Sequence, residues 1–174
     1  MARKFPFLIA LTGEARLALA GASELKLTRF PFRVGRESRS PMEAGVVVHD
    51  ERRRQSVAPN NDLYIWDPGP LLNISREHFQ IERSDNGEYF VRDRGSTCGT
   101  LVGNVQLGLG GAESCALFPD NTIVVGTPKS PFVFRFEIRE TAGGTAEDEQ
   151  LESTSARKKA QLVWNLKSEE SPER

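Results

Sequence analysis

Apolar residues along this chain come in short runs cut by turn-forming residues, not in a sustained helical stripe. Residues 5–11 are apolar and stop at Thr12-Gly13-Glu14; Leu17-Ala18-Leu19-Ala20 follows and stops at Gly21. This pairing predicts a strand–turn–strand. Over residues 25–34, Leu25, Leu27, Phe30, Phe32 and Val34 interleave with Lys26, Thr28, Arg29 and Arg33. The phase shifts at Arg29-Phe30-Pro31, as at a bulge. Residues 63–66 form a short apolar run, and residues 78–82 alternate. Asp85-Asn86-Gly87 then offers hairpin chemistry before residues 89–92. Residues 122–125 and 132–138 supply two further strands. Many short strands without a long helical period over residues 1–139 predict an all-β sandwich or barrel.

Two stretches depart from that pattern. Residues 37–60 are too long for an ordinary connection and read as an insertion. It holds Arg52-Arg53-Arg54 and an extra strand at Val46-Val47-Val48. Residues 140–174 read as a flexible charged tail, with eight acids against five bases. A helix over residues 151–166 has too thin an apolar face to stand alone, so the tail is expected to be disordered or partly helical.

Composition narrows the function. The 174 residues carry 23 basic and 24 acidic side chains, a net charge of −1. A nucleic-acid coat or a polybasic membrane binder needs a positive excess, so neither partner is expected. Two cysteines, Cys98 and Cys115, with no CxxC, argue against a disulfide scaffold and a structural zinc site. No apolar run approaches the ~18 residues of a membrane span. The N-terminal run superficially resembles a signal peptide, but Glu14 and Arg16 interrupt it. A cytoplasmic location is expected.

Catalytic patterns such as GxxxxGK[ST], HExxH and GxSxG do not occur. Gly108-Leu109-Gly110-Gly111 follows no convincing strand and reads as a turn. Three other segments carry more. Phe32-Arg33-Val34-Gly35-Arg36 is a strand closing on Gly-Arg. Ser75-Arg76-Glu77-His78 precedes an alternating strand, and Gly95-Ser96-Thr97-Cys98-Gly99-Thr100 follows one. Each places donors on a loop at a strand end. A forked guanidinium, hydroxyls and glycine-permitted backbone N–H groups suit a phosphate dianion. Such a set binds and does not react, so no catalytic residue, cofactor or metal is expected.

Gly35-Arg36, Ser75-Arg76-Glu77-His78 and Gly95-Ser96-Thr97-Cys98-Gly99-Thr100, in that order, resemble the forkhead-associated (FHA) domain over residues 5–139. Asn61-Asp62-Leu63 and residues 120–138 fit the resemblance too. It implies a β-sandwich of about eleven strands, whose loops at one end bind phosphothreonine peptides. Arg36, Ser75 and Thr97 then match phosphate-binding positions, with Arg76 and Cys98 on the same loops. His78 matches a bracing histidine, and Gly35 and Gly99 match positions of backbone shape. The chain departs from the family at Cys98, where Asn is usual and a thiol is a poorer hydrogen-bonder. Asn73 stands where some members carry a selectivity Arg.

The expectation is a non-catalytic phosphothreonine-reading adaptor, acting after a Ser/Thr kinase. Taken alone, Arg36 reads as a surface ion-pair partner and Ser75 as a turn residue. A phosphate-independent interaction module is one rival, motivated by Cys98. A hydrolase pairing Cys98 with His78 is another. Thr145, in a Gly-rich stretch with Asp148 behind it, reads as a regulatory phosphosite.

Overall fold

The computed structural model describes residues 3–37, 42–43, 46–47, 61–67 and 72–141. The first sheet holds β1 (Arg3–Ala10), β2 (Glu24–Lys26), β9 (Thr100–Val102), β10 (Val105–Leu107), β12 (Thr122–Val125) and β13 (Val133–Thr141). Their order is β10-β9-β12-β13-β1-β2. The second holds β3 (Phe32–Arg36), β6 (Leu63–Ile65), β7 (Phe79–Arg83), β8 (Tyr89–Asp93) and β11 (Ser114–Leu117), in the order β11-β8-β7-β3-β6. These eleven strands form an all-β sandwich. A separate two-stranded sheet pairs β4 (Met42–Glu43) with β5 (Val46–Val47).

The core is the alternate residues of both sheets. Leu8, Ile123, Phe134 and Phe136 come from one layer; Val34, Ile65, Phe79, Ile81 and Val91 face them, all at most 1% exposed. Each such side chain stabilises the fold by about 1.5–3 kcal/mol. Tyr89 and Phe136 meet across the layers at 5.2 Å between ring centroids.

Register decides where the loops go. Val34 pairs with Phe79 antiparallel, and Phe79 pairs with Asp93. The end of β3, the start of β7 and the end of β8 therefore share one pole. The segments ending in Arg36, leading into His78 and following Asp93 meet there.

Four sequence readings change. Residues 17–20 are not a strand. The helix α1 (Gly13–Ala18) takes Leu17 and Ala18, and Leu19 is its C-cap. Thr12 caps it, its Oγ1 accepting the Ala15 N–H at 3.2 Å. Good helix formers then meet a left-handed stop at Ala20 and Gly21. Residues 25–34 are not one bulged strand but β2 and β3, which lie in different sheets. The phase shift marks a crossing between layers, with Leu27 N–H bonded to Pro6 C=O at 2.9 Å. The glycine cluster at 108–111 is a turn, as expected, yet a strand does precede it: three-residue β10, too short and mixed in polarity to be read from period. Finally, β13 runs to Thr141, two residues into the expected tail. The rest of the tail, Thr145 included, and Arg52-Arg53-Arg54 lie outside the described residues.

Candidate functional site

Arg36 ends β3, half-buried, with its Nε donating to Ile74 C=O at 2.9 Å. Its backbone N–H donates to Ser75 C=O at 2.9 Å. The first loop is thus fastened to the second by both main chain and guanidinium. Gly35 shows why no side chain fits beside it: a Cβ would strike Arg76 O and stand 2.6 Å from Asn61 Nδ2. Gly35→Ala is therefore expected to destabilise by about 1–3 kcal/mol through overpacking and to displace the second loop, which thermal denaturation and peptide titration would register together.

The second and third loops meet through hydroxyls. Ser75 Oγ accepts the Thr97 N–H at 2.8 Å and lies 3.4 Å from Thr97 Oγ1. Arg76 is exposed beside them. Behind this surface His78 is fully buried. Its Nδ1 accepts the Ser75 N–H at 2.8 Å, so Nε2 carries the proton and donates to Gly99 C=O at 2.8 Å. Burial pushes the His78 ring below its ordinary pKa of 6.5, partly offset by the Gly99 bond and by Asp93. Gly99 is left-handed at φ 72, and a Cβ there would stand 2.6 Å from Leu107 O. Gly35, His78 and Gly99 thus all shape backbone.

Cys98 is half-buried and its S–H donates to Leu72 C=O at 3.4 Å. With both His78 nitrogens engaged by main chain, the ring has no lone pair to take a thiol proton. The Cys98–His78 nucleophile pair is not assembled.

Several supports escaped the sequence reading. Asn61, 3% exposed, donates to Arg76 C=O at 2.8 Å and accepts from Arg94 at 2.6 Å. Asp67 accepts the N–H groups of Asn73 and Ile74 at 2.6 and 3.3 Å. Asp93 gathers the third loop, accepting from Gly95 N–H at 2.8 Å, Ser96 N–H at 2.9 Å and Ser96 Oγ at 2.5 Å. Asp93 was findable: Asp two and three residues before Gly-Ser is a turn signature. Asn61 acts across 15 and 33 residues of chain, separations that no local pattern encodes. Asn73 Oδ1 is engaged with Thr127 Oγ1 at 3.3 Å.

Among the described residues no cluster of His, Cys, Asp or Glu could hold a metal, and no helix is long and apolar enough to cross a membrane. A two-sheet sandwich with three loops meeting at one pole around an arginine and two hydroxyls is the architecture of a ligand-binding β-sandwich module. A family model for the FHA domain matches residues 32–126, more than half of the chain, and the chain belongs to the FHA domain family. No curated protein matches it. Among solved structures it is similar to the FHA domain of the CT664 protein from Chlamydia trachomatis (TM-score 0.46, 16% identity, 79% of this chain and 99% of that one). It is also similar to the FHA domain of an Arabidopsis thaliana hypothetical protein (0.47, 20%, 82% and 90%). A third is the N-terminal FHA domain of Rad53p from Saccharomyces cerevisiae, in complex with a phosphothreonine peptide (0.47, 17%, 79% and 94%).

Proposed function

We propose that this protein is a phosphothreonine-peptide-binding adaptor, working downstream of a Ser/Thr kinase. The observation that carries the reading is the Arg36–Ser75–Thr97 junction. A guanidinium at a strand end and two hydroxyls 3.4 Å apart come from three loops, the first joined to the second by the Arg36 N–H to Ser75 C=O bond and the second to the third by the Thr97 N–H to Ser75 Oγ bond. Arg36, Ser75 and Thr97 hold the phosphate; Arg76 and Cys98 line the path of the peptide; Gly35, His78 and Gly99 keep the loops in shape. Residues 1–139 act as the binding module and residues 140–174 as a charged appendage.

Recognition rests on charge. A phosphate adds about 1.5–2 negative charges and three acceptor oxygens, which a guanidinium and hydroxyls meet as donors. Calorimetry with one peptide in three forms tests this. The phosphothreonine form is expected to bind at least about 100-fold more tightly than the unmodified one, from two or more charge-assisted bonds. The phosphoserine form measures the contribution of the threonine methyl. Equal affinity for phosphorylated and unmodified peptide would overturn the reading in favour of a phosphate-independent module.

A further inference from the structure

The pole opposite the site carries a cleft that phosphate binding does not use. Arg83 and Tyr89 close the β7–β8 hairpin there, at the end of the ladder away from Phe79 and Asp93. Lys4 and Phe5 come from the start of β1, and Leu27 and Phe30 from the crossing between the layers. These residues line a cleft of about 430 Å³, within the ~300–1,000 Å³ of ligand pockets.

The floor of the cleft is apolar. Leu27 and Tyr89 are buried, and the Phe30 and Tyr89 rings meet at 5.4 Å between centroids. The rim is cationic. The Arg83 guanidinium lies 5.8 Å from the Tyr89 ring centre, and the Lys26 ammonium 3.7 Å from that of Phe5. Aromatic faces hold cations in this way. Among the described residues Arg83 makes no ion pair. Lys4 pairs with Glu140 at 3.7 Å, both side chains well exposed, a contact worth little. One cation from each sheet therefore stands over an aromatic floor, able to take a carboxylate.

The chain itself leads to this cleft. Glu140 pairs with Lys4, and Thr141 with Arg3, in the β1–β13 ladder. The segment after Thr141 thus starts at the rim. Its sequence is complementary: Glu147-Asp148-Glu149-Gln150-Leu151-Glu152 sets one leucine between acids. Ten residues separate Leu151 from Thr141, a reach of up to ~36 Å, while neighbouring strands lie only ~4.8 Å apart. Attachment supplies an effective concentration of roughly millimolar. A contact too weak for a free peptide then fills the cleft from its own chain.

We propose that the cleft seats this chain's own acidic segment, with Leu151 against Phe30 and Tyr89 and the acids around it on Lys4 and Arg83. The inference is independent of the phosphopeptide reading, since the cleft and Arg36 lie at opposite poles.

Cross-linking of the full chain with a carbodiimide, which joins an ammonium to a carboxylate in contact with it, tests this on an equal mixture of light and heavy isotope-labelled protein. The Lys4–Glu140 link is the internal control. The expected result is links from Lys4 to acids of residues 147–152 within single chains. Leu151→Ser keeps every charge and should lower those links about 3-fold or more; Arg83→Gln, at an exposed side chain, should lower them about 2-fold. Neither variant should change the Lys4–Glu140 link. Failure of either variant to lower the links, or their absence beside a normal control, would overturn the inference. Links that join light to heavy chains would put a second copy's tail in the cleft and overturn the intramolecular form.

Discussion

Arg36→Ala is expected to weaken phosphopeptide binding by at least an order of magnitude while the protein stays folded. Each hydrogen bond to a charged group contributes about 1.5–3 kcal/mol, so losing even one bond of the fork should cost roughly 10–150-fold in affinity at ~1.4 kcal/mol per tenfold. Stability should fall too, because Arg36 Nε also holds Ile74 C=O. One such bond is worth about 1 kcal/mol, a few degrees in melting temperature for a chain of this size. The two readouts separate the roles. Arg36→Lys keeps the charge without the planar fork, and its affinity should lie between those of the parent and the alanine variant. Calorimetry at matched salt decides: an alanine variant that binds like the parent would place the phosphate elsewhere.

The residues that touch ligand in this reading were the ones the sequence displayed. Phosphate chemistry asks for particular side chains, and Gly35-Arg36, Ser75 to His78 and Gly95 to Thr100 supply them in short contiguous segments. Their scaffolding was less visible. Asn61 reaches Arg76 C=O and Arg94 across 15 and 33 residues of chain, so its role exists only once β3, β6 and β7 are side by side. Strands of five residues with clean alternation, such as β7 and β8, could be read from period. Strands of three, such as β9 and β10, could not, because a single alternation is indistinguishable from a turn. The helix α1 was missed because Leu17-Ala18-Leu19-Ala20 fits either period; the deciding signal was the cap at Thr12.

The same topology bears on Thr145. The last described residue, Thr141, pairs with Arg3 at the far end of β13, whose start lies beside Val125 and the site pole. Eight steps of ~3.4 Å carry the chain ~27 Å away. The four residues on to Thr145 return at most ~14 Å. A phosphate on Thr145 is therefore expected to exchange between molecules and not to fold back onto its own Arg36.

His78→Ala is expected to weaken folding and binding together. The ring fills a fully buried site and bonds two loops at once. Its removal leaves a cavity and takes away the acceptor of Ser75 N–H; Gly99 C=O keeps the Gly126 N–H at 3.0 Å. The combined cost is about 2–4 kcal/mol. Phosphopeptide affinity should drop as well, since Ser75 and Thr97 lose their fixed spacing. The ring must stay neutral to accept at Nδ1, and burial holds its pKa below 6.5 in the folded chain. The unfolded chain takes up that proton first as pH falls. Stability from His78 is therefore fully present above about pH 6.5 and is lost progressively below it, because the unfolded state binds more protons there. Melting temperatures of the parent and of His78→Ala between pH 7.5 and 5.5 measure this directly, the variant serving to subtract every other titrating group. The parent's curve should fall more steeply than the variant's. Parallel curves would mean that His78 takes up its proton in the folded chain as readily as in the unfolded one, and a variant that melts like the parent yet loses peptide would make the ring a ligand contact instead of a brace.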